Sequence, residues 1–336
     1  MGKAEHLEHW VNLLYALPDD VRDGVSFFYS AFKGDLNAST IALAGPVLAS
    51  ALEQRGTSWT QGRNLLAQAM YAEEVRRGVR FDYWVFSDGD ALITFDCYTC
   101  ASTTAPDLSG PACCAAYLLR DVLLSYSFAT VSTKLHQFEW EFGLSVDHGN
   151  YDGFFFRDCG DAMVQAFHRD AVPVTLPYLT QLDAMSWWAS QAMLFFFTHG
   201  CLEGGNVFLA RHLHERDGLA EHTDYPRGRD QEREFATVSA AFPSLVPGIV
   251  QKKFDAGNQC EMGTNPVVRD VTEAQFSRAD AAEHRAIGMP LLRHKGWHGE
   301  WSKSTAYAQC FAQLLPHFIQ LVGQGAPEAP RPITRG

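Results

Sequence analysis

The sequence has no run of about 18 uninterrupted apolar residues, the length that a membrane-spanning helix needs. The closest approach is residues 185–198, which Ser186, Ser190 and Gln191 interrupt. The first residues also lack the charged and then apolar plan of a secretory signal peptide. We therefore expect no membrane span, and a chain that is either cytoplasmic or the soluble portion of a longer protein.

Basic residues are also scarce, since 27 Lys and Arg face 39 Asp and Glu, for a formal net charge of −12. Nucleic-acid-binding proteins normally carry a basic stripe with interleaved aromatic residues, and none is visible. The motifs G-x-S-x-G, G-x-x-x-x-G-K-[ST] and H-E-x-x-H are missing as well. Nucleic acid is therefore not an expected partner, and three large enzyme classes lose their support in the sequence.

Apolar material is plentiful, because 46% of the 336 residues are hydrophobic and 12% are aromatic. This is enough for a large core. No internal repeat or long low-complexity linker divides the chain. We expect one domain made of two halves, residues 1–110 and 111–323, followed by a disordered Pro-rich tail at residues 324–336.

Eight cysteines, four of them within residues 97–114, allow three interpretations. An even number permits disulfides and so a secretory compartment, whereas free thiols fit a reducing one. Cys97-x-x-Cys100 with Cys113-Cys114 could also bind zinc, although adjacent thiols chelate one tetrahedral ion awkwardly. The sequence leaves these alternatives open.

The first part of the chain predicts alternating strands and helices. Residues 25–32 (VSFFYSAF) predict a buried strand, and residues 46–55 predict a helix. Ser58-x-x-Gln61 has the form of a capping box, so a second helix should run from it to Gly78. The apolar stripe expected on this helix consists of Leu65, Leu66, Ala69, Met70 and Val75.

Residues 81–87 (FDYWVFS) form a short apolar run that predicts a central parallel strand. The order strand, helix, helix, strand is typical of an α/β domain with a mostly parallel central sheet flanked by helices. Further along, the patterns predict a strand at residues 171–176, a helix at 183–198 with Asp183 as its N-cap, a mobile loop at 215–233 that could act as a lid, and a last amphipathic helix at 305–322.

Two carboxylates, Asp88 and Asp90, follow the strand at residues 81–87 directly, with Gly89 between them. In open α/β sheets, ligands bind outside the carboxyl ends of the strands. Carboxylates there supply hard oxygen ligands for Mg²⁺ or Mn²⁺ and leave coordination positions for phosphate oxygens. Asp-Gly is also a favoured turn dipeptide, so a solvated turn is the alternative.

The helix with Arg63-Asn64, followed by the strand that ends in Asp88-Gly89-Asp90, resembles the core of the GT-A-fold glycosyltransferases. In that family an "RN" helix precedes a strand that ends in a DxD metal motif. The resemblance implies that Asp90 binds Mn²⁺ or Mg²⁺ and that Asp88 contacts the metal or the donor ribose. It also implies that Arg63 and Asn64 lie near the nucleotide or packed beneath it.

The resemblance covers about residues 25–95 and implies a GT-A-like fold with a C-terminal acceptor-side portion. It assigns nucleotide-sugar binding to residues 1–110, and acceptor binding and catalysis to residues 111–323. It also implies a UDP-sugar donor and a glycan or glycoconjugate acceptor. The location that it implies is the Golgi lumen, with the cytoplasm as the alternative. The acidic residue that usually precedes the "RN" helix is missing unless Asp35 substitutes, so the donor nucleotide stays open.

Asp183 is followed closely by Trp187 and Trp188. Many inverting GT-A enzymes place a carboxylate at a helix start, where it deprotonates the attacking hydroxyl. The resemblance therefore makes Asp183 a candidate general base, and the two tryptophans candidate platforms for an acceptor sugar. The alternative is a simple helix N-cap beside two core tryptophans.

Residues 293–303 (RHKGWHGEWSK) concentrate basic groups in an acidic chain. They resemble the C-terminal His-and-Lys segment of several GT-A families. The resemblance implies that His298, or alternatively His294, is a third metal ligand and that Lys303 holds the diphosphate. A solvated basic loop is the alternative.

Two other functions remain open. A metal-dependent nucleotidyltransferase or phosphohydrolase could use the same aspartates, although only Lys33-Gly34 stands where a nucleotidyltransferase carries its Gly-rich loop. A carbohydrate-binding protein without catalysis could use four tryptophans as stacking platforms, namely Trp187, Trp188, Trp297 and Trp301. Metal-dependent release of nucleotide diphosphate, with or without an acceptor, separates these functions.

Overall fold

Two β-sheets and the helices packed on them make this chain an α/β protein. A computed structural model describes residues 2–54, 56–89, 91–94, 111–116, 118–119, 123, 128–135, 154–156, 164–185, 187–191, 196–197, 200–202, 206–217, 230–245, 248, 251 and 301–323. Within these residues, no helix is both long enough and apolar enough to cross a bilayer.

The longest described helices, α4 and α9, have 19 residues each. The helices are α1 (Leu7–Tyr15), α2 (Asp19–Arg22), α3 (Ala38–Ala44), α4 (Trp59–Arg77), α5 (Pro111–Ala116), α6 (Val172–Thr175), α7 (Trp187–Ser190), α8 (Gln231–Ala241) and α9 (Thr305–Gly323). Short 3₁₀ turns lie at Ala4–His6, Gly45–Val47, Thr180–Leu182 and Trp301–Lys303.

The strands fall into a small sheet and a larger one. Those of the small sheet are β1 (Gly2–Lys3), β2 (Phe27–Lys33) and β3 (Leu48–Glu53). Those of the larger sheet are β4 (Tyr83–Ser87), β5 (Ala91–Thr94), β6 (Thr130–Leu135), β7 (Phe154–Phe156), β8 (Val164–His168) and β9 (Asn206–Asp217).

The small sheet is parallel, with β2 between β1 and β3. It confirms the strand predicted at residues 25–32, but the helix predicted at residues 46–55 is wrong. Gly45 has a φ of 50°, and a 3₁₀ turn follows α3 there. The chain after this turn extends and pairs with β2, aligning Phe27 with Leu48. Strand pairing outweighs the local helix signals in this segment.

The larger sheet has the strand order β4-β8-β6-β9-β5, and β7 also pairs with β9. Strands β6 and β9 are parallel, while the other described pairings are antiparallel. Strand β4 is an edge of this order and pairs antiparallel with β8, so its prediction as a central parallel strand is wrong. The prediction fails because β4 pairs with β8, a strand that the sequence patterns did not reveal. Among the strands that the structure describes, the small sheet is wholly parallel and the larger sheet is mostly antiparallel.

Helix α4 begins and ends as its sequence predicts. Ser58 and Gln61 make both bonds of the capping box, and Gly78 closes the helix in the left-handed conformation at φ 66°. Arg77 also pairs with Glu73, one turn earlier, with 2.6 Å between Nε and Oε1. A good N-cap contributes about 1 kcal/mol of stability. Local sequence signals therefore mark both ends of this helix.

The buried face of α4 differs from the predicted stripe towards its end. Leu66 and Met70 are buried as expected, but Val75 is 66% exposed, so its place in the stripe is wrong. Glu74 takes the inward position instead, because its Oε1 accepts a hydrogen bond from the Trp84 indole at 3.0 Å. A partnered carboxylate can be buried where an apolar side chain was expected.

Helices α4 and α9 pack in one core with β4, with β8 and with residues that follow β8. Its buried members are Leu66, Ala67, Met70, Trp84, Phe86, Phe167, Val172, Leu176, Tyr178 and Phe318. Gln68 Nε2 also donates to the Leu321 carbonyl oxygen at 2.8 Å. Helix α9 confirms the helix predicted at residues 305–322. Residues from both predicted halves of the chain therefore share this core.

The strand predicted at residues 171–176 is wrong, since Val172–Thr175 forms the helical turn α6. A short apolar run is ambiguous when it is buried on all sides, and these residues are buried in the core. The loop predicted at residues 215–233 begins within β9 and ends within α8, whose N-cap is Asp230. Residues 218–229 and the tail at 324–336 lie outside the described residues.

A second core lies between α8, α9 and residues 171–202, and it contains a disulfide between Cys201 and Cys310. The two cysteines are 109 residues apart, and their Cα atoms are separated by 5.9 Å. For this pair the disulfide interpretation is confirmed, whereas Cys97 and Cys100 lie outside the described residues. Closing a loop of this length stabilises the fold by about 4–5 kcal/mol in the chain-entropy account.

Candidate ligand site at the start of helix α4

Asp88 directly follows β4, and its carboxylate is held at the first turns of α4. The Arg63 guanidinium donates from Nη2 to Asp88 Oδ1 at 2.9 Å, and the Trp59 indole Nε1 donates to the same oxygen at 2.9 Å. Within the described residues, Oδ2 makes no hydrogen bond. The Asp88 side chain keeps 20% of its surface exposed. One carboxylate oxygen is therefore fixed, and the other has no hydrogen bond from the described residues.

Arg63, in contrast, has no exposed side-chain surface. Its guanidinium carbon lies 4.0 Å from the centroid of the Trp59 ring and 5.7 Å from that of Phe86. Its Nη1 lies 3.3 Å from Gln165 Oε1 and 3.4 Å from the Tyr178 hydroxyl. Arg63 is packed beneath the site, which is one of the two positions that the family resemblance implies.

Asn64 makes its hydrogen bonds to the backbone of Tyr178 and not to Asp88. Its amide donates to the Tyr178 carbonyl at 3.0 Å and accepts from the Tyr178 N–H at 2.9 Å. Tyr178 follows the cis bond between Leu176 and Pro177, and its ring packs edge-on against Trp59 at 5.2 Å. The Arg63-Asn64 pair therefore joins α4 to residues 176–178, under the Asp88 carboxylate.

Asp183 is not the N-cap of a helix, so that prediction is wrong. It ends the 3₁₀ turn Thr180–Leu182 in a right-handed helical conformation, with φ −61° and ψ −30°. Its carboxylate accepts hydrogen bonds from the hydroxyl groups of Ser58, Thr60 and Ser190. Because these hydroxyls belong to the start of α4 and to the end of α7, they place Asp183 between the two helices.

The start of α4 brings several of the predicted residues together. Ser58 bonds to Asp183 and the next residue, Trp59, bonds to Asp88. Helix α7, which contains Trp187 and Trp188, lies against α4. We refer to Ser58, Trp59, Thr60, Asp88 and Asp183 as the helix-start cluster.

An aromatic cleft of about 520 Å³ borders the turn that follows β4, and the sequence patterns did not reveal it. Trp10 lines the cleft, and its indole donates to the Gly89 carbonyl at 3.0 Å. Small-molecule sites typically occupy about 300–1,000 Å³. The aromatic lining residues are Trp10, Phe27, Phe28, Tyr29, Phe81, Tyr83 and Phe86. The aromatic content of the two predicted strands was the signal that could have indicated it.

Other predicted residues do not join the helix-start cluster. The turn Trp301–Lys303 leaves Lys303 exposed, and the Trp301 ring packs on His168 at 5.7 Å. His168 is aligned with Tyr83, so this turn lies by the start of β4 and not by its end at Asp88.

The two remaining predicted metal ligands, Asp90 and His298, lie outside the described residues, as does His294. Across the part of the chain that the structure describes, no three His, Cys, Asp or Glu side chains are grouped closely enough to hold a metal ion. The metal assignment therefore stays a prediction.

Comparison with protein-family models, with curated proteins and with solved structures finds no match to this chain. The chemistry of the site itself is therefore what bears on function.

Proposed function

We propose that this chain transfers a glycosyl group from a nucleotide-diphosphate donor, a UDP-sugar, to a hydroxyl group of an acceptor glycan. The proposal includes the GT-A-like arrangement that the sequence resembles. The observation that carries it is the meeting of Asp88 and Asp183, which different sequence features singled out, at the first turn of α4.

The aromatic cleft supports a site for the donor nucleoside. A nucleobase has two flat faces that stack on aromatic rings, and the cleft offers such rings in a volume that suits a ligand of this size. The bond from Trp10 to the Gly89 carbonyl joins the wall of the cleft to the turn after Asp88. In this arrangement the base lies in the cleft and the diphosphate lies towards Asp88.

The described residues fit a divalent ion that is carried largely by the donor. Mg²⁺ is usually held through one or two protein carboxylates together with phosphate oxygens, and Asp88 Oδ2 supplies one such oxygen. The resemblance assigns further ligands to Asp90 and His298. When bound, Mn²⁺ or Mg²⁺ neutralises the negative charge of the departing nucleotide diphosphate.

We propose that Asp183 receives the proton of the acceptor hydroxyl. An ionised carboxylate has about four sites that accept hydrogen bonds, and three hydroxyls occupy sites on Asp183. The attacking hydroxyl takes a further site and transfers its proton as its oxygen bonds to the anomeric carbon and the nucleotide diphosphate leaves. This chemistry inverts the anomeric centre. Trp187 and Trp188 provide the acceptor platform in the same proposal.

The disulfide between Cys201 and Cys310 supports a location in the secretory lumen, such as the Golgi, over the cytoplasm. Disulfides persist in oxidising compartments and are rare in reducing ones. The location is part of the proposal and does not affect the chemistry at the helix-start cluster.

The test is a thermal-shift series with nucleotide sugars, with and without Mn²⁺, on the wild-type chain and two variants. A UDP-sugar at a hundred times its Kd should stabilise the wild type by about 2.7 kcal/mol. Asp88→Asn should lose this stabilisation, because it removes a charged ligand. Asp19→Asn is the matched control, since Asp19 forms an exposed ion pair with Arg22.

Turnover then separates the alternative functions. Transfer that requires both Mn²⁺ and an acceptor supports the proposal, whereas release of UDP without any acceptor indicates a phosphohydrolase. Sugar binding without any nucleotide dependence indicates a carbohydrate-binding protein. Stabilisation of Asp88→Asn equal to that of the wild type would remove Asp88 from the donor site.

A further inference from the structure

Arg63 differs from the neighbouring arginines of its own helix. Its side chain is fully buried, whereas those of Arg76 and Arg77 are 68% and 40% exposed. Burying a guanidinium is unfavourable unless a partner compensates its charge and its N–H groups find acceptors. The residues around Arg63 therefore reveal what holds it in place.

Within the described residues, the hydrogen-bond partners of Arg63 include one carboxylate and two neutral groups. Gln165 and Tyr178 are neutral partners at 3.3 and 3.4 Å, while Asp88 is an ionised partner at 2.9 Å. Burial by itself would lower the pKa of Arg63, but Asp88 and Tyr178 raise it and the pKa stays above its ordinary value. The guanidinium thus remains charged and bound to Asp88.

Trp59 completes this arrangement from the preceding turn of α4. Its ring covers the guanidinium at 4.0 Å, and its indole N–H donates to the same Asp88 oxygen that Arg63 contacts. Two rigid planar donors that meet at Oδ1 leave the carboxylate little freedom to rotate. The other oxygen of the partly exposed Asp88 side chain, Oδ2, makes no hydrogen bond within the described residues.

We propose that Arg63 and Trp59 are positioning residues that act through Asp88, by fixing Oδ1 so that Oδ2 is presented to the bound ligand. The identity of that ligand, the cation and diphosphate of the donor, rests on the function proposed above. Arg63 itself touches no ligand, which replaces the direct nucleotide contact that the family resemblance allows.

The first test needs no ligand and measures melting temperatures in a double-mutant cycle. Asp88→Asn should lower the Tm by about 5 °C or more, because it removes a carboxylate charge that pairs with a buried guanidinium. Adding Arg63→Met should restore part of that loss, since the uncompensated charge is then gone. The control cycle, Arg169→Met with Asp82→Asn, concerns an exposed pair and should be additive.

The second test measures the affinity of Mn²⁺ with UDP for variants that keep Asp88. Arg63→Met should weaken binding about 10- to 100-fold, as is typical when a residue that orients a metal ligand is lost. Trp59→Phe keeps an aromatic ring but removes the indole N–H donor, so it should also weaken binding. Arg76→Met changes an exposed arginine on the same helix and should bind as the wild type does.

Two results would overturn the proposal: an additive Tm cycle for Arg63 and Asp88, or wild-type affinity in both Arg63→Met and Trp59→Phe. The second result would mean that the pair is structural only. A wild-type chain that binds no nucleotide with Mn²⁺ would instead remove the proposed function. The Tm cycle would then decide by itself whether Arg63 holds Asp88.

Discussion

Strand β4 has an Arg–Asp pair at each end, and the two pairs differ sharply in exposure. At its start, Arg169 and Asp82 lie 3.3 Å apart with side chains that are 42% and 63% exposed. At its end, Arg63 and Asp88 lie 2.9 Å apart with 0% and 20% exposed. An exposed pair contributes about 0–1 kcal/mol, whereas a buried charge depends on its partner. The same residue types therefore form a solvated pair at one end and a fixed carboxylate at the other.

The surroundings of the two ends differ in the same sense. Near the start of β4, charged side chains such as Arg80 and Asp170 pair with each other at 3.5 Å and remain in contact with water. At the end of β4, Asp88 belongs to the helix-start cluster, in which Asp183 accepts hydrogen bonds from three hydroxyls. Chemistry that requires a carboxylate in a defined position is therefore expected at the end of the strand only.

The largest effect should come from Asp183→Asn compared with Asp82→Asn. Loss of a general base typically lowers turnover by about 10²- to 10⁴-fold, while affinity for UDP with Mn²⁺ should survive in Asp183→Asn. Asn can still accept a hydrogen bond from the hydroxyls, so the fold should be retained. Asp82→Asn, at the other end of β4, should leave turnover unchanged.

Turnover with acceptor and affinity for UDP with Mn²⁺ are the two measurements. Full turnover in Asp183→Asn would mean that another residue is the base, or that the enzyme retains configuration and needs none. Loss of both turnover and affinity, with a lowered melting temperature, would show that Asp183 mainly ties α4 to α7 through Ser58 and Ser190.

The next effect concerns stability and compares Arg63→Ala with Arg169→Ala. Arg63→Ala removes a buried ion pair and the packing on Trp59, so it should destabilise the chain by about 3–5 kcal/mol. Arg169→Ala removes an exposed pair and should change the free energy of unfolding by less than about 1 kcal/mol. Urea unfolding measures both, and equal values for the two variants would contradict the contrast between the ends of β4.

How far the sequence predicts this molecule depends on whether local signals agree with one another. Around α4 they agree, because the capping box at Ser58 and Gln61 and the closing Gly78 predict both ends of the helix to within one residue. The segment at residues 46–55 and the run at 171–176 lack such agreement, and partners distant in sequence decide their structure. Pairing with β2 overrides the helix signal of residues 46–55, and local sequence patterns do not show which segments pair.

The site shows the same limit at the level of side chains. Sequence motifs select Arg63, Asn64, Asp88 and Asp183, and the structure brings all of these to the start of α4. Their contacts depend on tertiary packing: the resemblance left two positions open for Arg63, and the hydroxyls around Asp183 were not predicted. Trp59, which binds Asp88 between two residues that bind Asp183, belongs to no motif and has the sequence of an ordinary first helical residue.

The smallest effect concerns His168, at the start of β4. Its ring packs edge-on against Tyr83 at 5.2 Å, and its Nδ1 accepts the Asp170 backbone N–H at 3.2 Å. Burial is the main reason why the pKa of His168 lies below its ordinary value; Arg169 and Arg80 lower the pKa further, and Asp170 and Asp82 oppose them. Protonation at Nδ1 also breaks the bond from the Asp170 N–H. The folded chain therefore disfavours the charged imidazole.

Because the folded pKa of His168 is depressed, the unfolded chain binds this proton more readily than the folded chain does. The stability that results is complete above the unfolded value of about 6.5 and is lost as the pH falls through the folded pKa. One proton limits the slope to about 1.4 kcal/mol per pH unit.

His168→Phe keeps the ring contact but has no proton to gain, so its free energy of unfolding should fall less between pH 7.5 and 5.5. Arg169→Ala removes a cation that lowers the pKa of His168, and it should give an intermediate slope. Urea unfolding at both pH values measures the slopes. Equal slopes in His168→Phe and the wild type would show that protonation of His168 does not couple to folding, and that the charged start of β4 is solvated enough to accept the proton without loss.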